Sequence, residues 1–315
     1  MLFKTGELER RAERLLGLAA SCRLCPWQCG VNRLKGERGR CKAGPSVRVA
    51  KGLAHFGEEP VITGSRGSGA IFFAHCNMQC CFCQNWQISH EGLGTDMTVE
   101  QLAELMCGLQ QQGCHNINLV SAGHFMHLIV QALALAAGRG LNLPVVYNSN
   151  GYEDVAMLVL LEGIVDIYLP DAKYGDDGCA EKYSAARKYH KVNFAALDEM
   201  FRQSGYLELD EAGIASKGLI VRHLVLPGGL ADTELVLKKL KHHFGRFLSI
   251  SLMGQYRPCY LAESFLELQQ QTTPQEYAAA VAAFEEFGFE NGWMQQHETL
   301  DSSFMPDFRK KNSWS

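Results

Sequence analysis

The chain has 315 residues, is 47% hydrophobic and carries a formal net charge of −4. That is enough to bury a full core, and it lacks the basic excess that gathers phosphate backbones, so nucleic acid is not an expected partner. Charges interrupt every apolar stretch of the N-terminal MLFKTGELERRAERLLGLAA, and no later run approaches the roughly 18 apolar residues of a spanning helix. A soluble, cytoplasmic protein without signal peptide or membrane partner is expected. Twelve cysteines in such a chain are not a secreted disulfide framework, because a reducing cytosol keeps thiols free, and clustered thiols inside cells usually hold metal.

In chain order, residues 6–19 read as a charged helix, followed by Cys22-x2-Cys25-x3-Cys29-x11-Cys41 with a Gly-rich return, Leu34 to Arg40. Four thiols so spaced suit a closed tetrahedral site. A structural zinc knuckle is the plain reading and an auxiliary iron–sulfur cluster the alternative. VRVAKGLAHF (47–56) reads as a strand. Gly64-x-x-Gly67-x-Gly69 precedes a strand instead of opening a helix, so it reads as a tight turn and not as a phosphate loop.

From residue 70 short apolar runs alternate with helical patterns: AIFFA (70–74), INLV (117–120), PVVYN (144–148), VDIYL (165–169), LIVRHLVL (219–226) and FLSISLM (247–253). This is the signature of βαβ units and a parallel sheet. Thr98 to Gln101 form a capping box ahead of Leu102, Leu105, Met106 and Leu109, with Gly113 as the stop. Thr273 to Glu276 repeat the device ahead of Tyr277, Ala280, Val281 and Phe284, with Gly288 at the end. Six such units predict an α/β fold, a partial (β/α)6 barrel with functional groups at the C-terminal strand ends; an open doubly wound sheet is the competitor. The expected division is a helix and four-cysteine module over 1–60, a barrel over 61–300 and a tail over 301–315, whose FRKKNSWS end reads as frayed or dispensable.

Cys76, Cys80 and Cys83 form C-x3-C-x2-C directly after the first barrel strand. Three thiolates are one short of a closed zinc site or a fully ligated [4Fe–4S] cluster, so a cubane held there keeps one iron open to a small molecule. The alternative is zinc with Cys81 or His75 as fourth ligand, although adjacent Cys80 and Cys81 point apart on most backbones. Cys107, Cys114, Cys179 and Cys259 are scattered and read as small buried apolar residues.

The stretch Cys76-Asn-Met-Gln-Cys80-Cys-Phe82-Cys83, with an aromatic residue before the last cysteine, resembles the defining motif of the radical S-adenosylmethionine superfamily. The resemblance implies a [4Fe–4S] cluster on these three cysteines in a partial (β/α)6 barrel. It also implies S-adenosylmethionine chelated at the open iron and split by one electron into methionine and a 5'-deoxyadenosyl radical, which abstracts hydrogen. Asp171-Ala172-Lys173 resembles the Asp-x-Lys pair that contacts S-adenosylmethionine in glycyl-radical-enzyme activases, and Arg222 and His223 fall where those enzymes place a cofactor-binding strand. The stretches FGEEP, GSGAIFF, CQNWQIS, NINLV, VDIYLPDAKY and VRHLVLPGG are similar to the pyruvate formate-lyase activating enzyme-like subgroup. That likeness implies reduced flavodoxin or ferredoxin as electron donor, and a glycyl radical enzyme or a peptide as substrate.

One departure concerns the Gly-Gly-Glu-Pro stretch that such proteins often carry after the second strand to receive the cofactor's amino group. Here the place reads Ser121-Ala122-Gly123-His124-Phe125. Ser121 and His124 are the candidate substitutes, with helix capping the alternative for His124. GEEP at 57–60 precedes the first strand and is not that motif displaced. Phe82 and Asn148 complete the candidate cofactor contacts. Asn148 belongs to Tyr147-Asn148-Ser149-Asn150, which ends a strand where polar groups can take ribose hydroxyls or cap a helix. A radical enzyme acting on a small molecule and a non-catalytic electron carrier or scaffold stand as the other functional readings.

Overall fold

The structure, a computed structural model, describes residues 5–295, 305–310 and 313–314. Its strands are β1 (Val47–His55), β2 (Ser68–Phe73), β3 (Thr95–Met97), β4 (Ile117–Val120), β5 (Val145–Ser149), β6 (Ile167–Pro170), β7 (Glu208–Leu209), β8 (Ala215–Leu224), β9 (Ser249–Met253) and β10 (Asn291–Met294). They form one sheet in the order β10-β9-β8-β6-β5-β4-β2-β1-β3, with β7 alongside β8. From β2 to β10 every pair on this path is parallel. Neighbours in space are successive parallel strands in sequence, with no reversal of order. A doubly wound sheet needs such a reversal, so the α/β chain is a partial barrel with an antiparallel flap, β1 and β3, on one edge.

The six predicted apolar runs became β2, β4, β5, β6, β8 and β9. Alternation explains why they read as continuous apolar runs: both sheet faces are covered. Ile71 and Phe73 of β2 face the helix layer, while Ala70 and Phe72 face inward. Tyr147 and Tyr168 face the helices, whereas Val146, Ile167 and Leu169 fill the barrel floor with Ile62 and Ile220. The short helix Pro60–Thr63 supplies Ile62 and plugs the N-terminal strand ends, where Asn116 Nδ2 donates to the Ile62 carbonyl at 2.8 Å. A positive φ at Gly64 (49°) and Gly67 (83°) makes the turn that leads from this plug into β2. Both predicted capping boxes are formed, at Thr98/Gln101 and Thr273/Glu276.

Two expectations are corrected. The boundary at residue 60 is not a boundary in the core. Leu8, Ala12, Leu15 and Ala19, on one face of the helix Glu7–Ala20, join the same core as Leu102 and Ile129, and β1 pairs with β2. The C-terminal segment is not loose where it is described. Phe308 is buried, and the rings of Phe308 and Trp314 lie 5.5 and 5.3 Å from that of Phe72. Gln87 ties the segment down, donating to Asp307 and accepting the Phe308 N–H. Among the described residues no helix is long and apolar enough to cross a membrane.

Because the first helix shares the barrel core, Leu15→Ala is expected to cost about 2–5 kcal/mol of global stability. Denaturant unfolding followed by both fluorescence and circular dichroism should shift as one transition. A separate early transition, with the main one unmoved, would restore the two-unit picture.

Candidate functional site

The C-terminal strand ends open into a cavity of about 870 Å3. One wall is the loop after β2, which begins at His75 in a left-handed conformation (φ 70°). Two backbone hydrogen bonds hold this loop against the end of the helix Asp177–Ser184: Gln79 N–H to the Ser184 carbonyl at 3.1 Å, and Cys81 N–H to the Tyr183 carbonyl at 2.8 Å. Cys76, Cys80 and Cys83 all line the cavity. Cys81 does not; it is buried in an aromatic cluster with Tyr174, Tyr183 and Tyr256. Burial and neighbouring thiols push Cys76 up to about 12 and Cys83 up to about 11, and burial also raises Cys80 despite nearby Lys173. Without a cationic centre the three are therefore neutral thiols.

Each thiol meets one side-chain amide or hydroxyl. Asn150 Nδ2 lies 3.3 Å from Cys76 Sγ, Ser184 Oγ 3.0 Å from Cys80 Sγ, and Ser89 Oγ 3.1 Å from Cys83 Sγ. Three thiols side by side on a cavity wall, with the fourth turned away, fit a cubane with one open corner. Of the two candidate fourth ligands for zinc, Cys81 is turned away from the three thiols, whereas His75 lines the same cavity.

Near Cys80 the cavity is polar. Lys173 Nζ is 2.5 Å from Asp171 Oδ2. Burial opposes the charge of Lys173, but Asp171 and Cys80 outweigh it and hold the ammonium above the usual lysine range. Tyr189 and Asn193 fix this strand end, accepting the Lys173 N–H and donating to the Asp171 carbonyl, respectively. Arg222 points into the same cavity but is already engaged. Its Nε and Nη2 grip Glu59 at 2.7 Å each, and Nη2 also meets Glu58. Burial opposes the charge on Glu59, and Arg222 reverses that, holding the carboxyl below its usual value. Glu58 in turn accepts from Asn118 at 2.9 Å and from Asn148 at 3.5 Å.

Of the residues expected from sequence, Phe82, Ser121, Asn148, Asp171, Lys173 and Arg222 line the cavity with the three cysteines. His223 and His124 are corrections. Neighbours on a strand face opposite ways, so with Arg222 inward His223 faces the helices, between the Ala172 carbonyl (2.6 Å) and Thr233 Oγ1 (2.9 Å). His124 is buried with Nε2 2.9 Å from the Ala74 carbonyl. Desolvation lowers both rings, to about 4 and about 3, so both are neutral latches. Sequence reasoning missed Glu58 and Glu59 as cavity groups. Their signal was two adjacent carboxylates before the plug helix, which is legible only once the plug is known to lie under the strands. It also missed Ser89 and Ser184, which carry no local signal.

The N-terminal cysteine segment packs beside this wall, although among the described residues no three of its thiols are grouped as metal ligands. Gly30 N–H bonds to the Cys22 carbonyl, and Arg40 N–H approaches Cys29 Sγ at 3.4 Å, folding the return loop over the pair. Cys22, Cys25 and Cys41 are buried and Cys29 is exposed. The Trp27 indole N–H donates to the Asn77 carbonyl at 2.7 Å, next to Cys76.

A family model described as the Radical SAM superfamily matches residues 70–228, half of the chain. This protein belongs to that superfamily, whose cofactors are a [4Fe–4S] cluster and S-adenosylmethionine, and it is a radical enzyme of the kind that cleaves the latter. It is 30% identical over 297 residues to an uncharacterised protein of Methanocaldococcus jannaschii, covering 91% of this chain and 81% of that one. A radical SAM methyltransferase from Sphaerobacter thermophilus is similar in fold, with a TM-score of 0.50 at 12% identity over 73% of this chain and 66% of that chain. An [FeFe]-hydrogenase maturase from Carboxydothermus hydrogenoformans matches at a TM-score of 0.48 and 10% identity, over 71% and 52% of the two chains.

Behind the cavity, Glu153 is buried and held by Ser149 Oγ at 2.7 Å. Burial raises its carboxyl to about 7 from an ordinary 4.5, so it folds neutral while the unfolded chain ionises. Stability from this group is complete below about pH 4.5 and is lost as pH rises through 7, by about 3 kcal/mol in all. Glu153→Gln should remove that slope. Denaturation midpoints at pH 5 and pH 8 check it, and equal slopes in the two proteins would show that the carboxyl is already charged.

Proposed function

We propose that this protein takes a hydrogen atom from a chain or molecule presented at the flank where the sheet edges do not meet, with a glycine of a partner protein as the favoured target. The observation that carries this reading is the shape of the cavity. Its volume of about 870 Å3 stands near the upper end of small-molecule sites. Its walls run from polar Asp171, Lys173 and Asn148 to apolar Leu53, Phe56, Phe72, Trp293 and Met294, where the sheet edges do not meet and Pro306 and Trp314 of the C-terminal segment complete the lining. The polar end suits a zwitterionic cofactor, and the apolar flank leaves room for a second reactant. When bound on Cys76, Cys80 and Cys83, a [4Fe–4S] cluster supplies the electron for sulfonium cleavage.

This chain's own residues hold and exclude. Asp171 and Lys173 offer a fixed carboxylate–ammonium pair to the cofactor's amino and carboxylate groups, and Asn148 offers an amide to its ribose. Phe82, packed edge-on against Tyr256 with ring centroids 5.8 Å apart, keeps water from the wall that bears the thiols. Reduced flavodoxin or ferredoxin is the proposed donor. Half-exposed Leu261, whose N–H bonds to the Cys81 carbonyl, sets an apolar contact on the outer side of the cysteine loop. The four N-terminal thiols are proposed to hold a second centre, zinc or an auxiliary cluster.

Anaerobic reconstitution with iron and sulfide, dithionite reduction and addition of S-adenosylmethionine are expected to give 5'-deoxyadenosine, and Cys80→Ala none. A peptide bearing α-deuterated glycine should pass deuterium into that product. Product without label points to the small-molecule reading, and no product at all leaves the electron carrier. For the N-terminal group, metal analysis of a variant lacking Cys76, Cys80 and Cys83 decides. Retained iron means a cluster, retained zinc a structural knuckle, and neither metal refutes the second centre.

A further inference from the structure

We propose that Asn150, Ser184 and Ser89 are positioning residues that set the reduction potential of the cluster, each by one hydrogen bond to a different cysteine sulfur. This rests on reading Cys76, Cys80 and Cys83 as its ligands. The three donors come from separate segments: the loop after β5, the last residue of the helix Asp177–Ser184, and the last residue of the helix Trp86–Ser89. Each lies within hydrogen-bond reach of its sulfur, and a metal-bound thiolate can only accept. The amide oxygen of Asn150 accepts the Tyr152 N–H at 2.9 Å, and its two-proton nitrogen donates to Asn77 Oδ1 at 2.7 Å and to Cys76 Sγ at 3.3 Å. Ser184 is fully buried and lies 2.6 Å from Tyr174 Oη. With the Tyr174 proton directed to Ser184 Oγ, the serine proton is free for Cys80, giving a two-step chain of hydroxyls that ends on sulfur. Against a thiolate at Cys83, Ser89 has no role but donor.

A metal-bound thiolate accepts such bonds more strongly as electron density on the cluster rises, so donors stabilise the reduced state and move the potential upward. The backbone N–H groups of Met78 and Asn85 act on Cys76 and Cys83 in the same sense, so the side chains add to a built-in contribution. At Cys80 the side-chain donor is Ser184, itself paired with Tyr174 in a fully buried two-hydroxyl chain. The largest single effect is therefore expected at Ser184.

The test is an EPR-monitored potentiometric titration of the reconstituted protein, with iron and sulfide counted in each sample. Ser184→Ala and Ser89→Ala should each lower the reduced-to-oxidised ratio at fixed poise by about two- to ten-fold. Asn150→Asp, which keeps the oxygen that Tyr152 needs and replaces the donor by a carboxylate, should lower it too. Tyr174→Phe should give a smaller fall, and Ser184→Thr should restore the parent value. Clusters present throughout with unchanged potentials would overturn the proposal. Should Ser184→Ala fail to assemble, a fall in Tyr174→Phe with none in Ser184→Thr still supports it, and no change in either overturns it. A parent protein that assembles no cluster on these cysteines overturns the ligand reading beneath it.

Discussion

The site depends on how one helix end is satisfied. The helix Asp177–Ser184 ends in a left-handed residue, Ala185, and its last carbonyls need donors from outside. The cysteine loop supplies them through Gln79 and Cys81. With the residues on either side of Cys80 anchored there, its side chain is committed toward Ser184 and the cavity, while Cys81 is committed to the aromatic cluster behind. A shift of one residue would put the wrong thiol on the wall and strand a buried serine hydroxyl. The spacing of the motif and the cap of a helix a hundred residues away are thus one constraint, and it is this constraint that leaves three thiols where four would close the site.

The charges that line the cavity follow a similar logic. Burying an ion pair seldom stabilises a fold, and removing one partner leaves an uncompensated charge. Here two carboxylates, Glu58 and Glu59, face one guanidinium, Arg222, while Asp171 and Lys173 balance each other. The formal excess is negative, at the base of a cavity whose polar groups are already fixed by their neighbours. A cationic ligand in the cavity gains from that excess, and the polar groups need little reorganisation to meet it. Arg222 consequently serves the carboxylates first. It shapes the floor, where a free guanidinium would have sought the cofactor's carboxylate.

Much of this architecture was legible because it rests on periodicity and spacing. Runs such as AIFFA and INLV are apolar on both faces, which only a strand covered on both sides allows, and the two capping boxes are local chemistry. β10 was not legible. Asn291–Met294 is an exposed edge strand with no apolar run, and only its pairing with β9 makes it one. The site split along the same line. Cys76, Cys80, Cys83, Asp171 and Lys173 sit on short local patterns at strand ends, whereas Ser89, Ser184, Glu58 and Glu59 act through contacts made only after folding. His223 misled because strand alternation was not applied to its neighbour: once Arg222 points inward, His223 has to point out.

The same reasoning accounts for the departure after β4. Where relatives are expected to carry an acidic contact, this chain has Ser121 to Phe125, and the structure uses that stretch for attachment. Arg33, fully buried although charged, donates to the His124 carbonyl at 3.0 Å and to the Gly44 carbonyl at 2.9 Å, and its guanidinium lies 5.7 Å from the Phe125 ring centre. The ring of His124 meanwhile holds the Ala74 carbonyl just ahead of the cysteine loop. A second line of contacts runs from Arg40 over Trp27, through Tyr152, to Tyr189 beside Lys173, with successive ring centres 6.0 and 6.1 Å apart. A glutamate side chain in place of His124 would surrender the latch on Ala74 and bring a carboxylate into a buried site. The N-terminal cysteine module and the stretch after β4 are therefore joined through Arg33. The module braces the wall that carries the thiols, and the acidic groups of the cavity come instead from Asp171 and from the glutamates of the plug below.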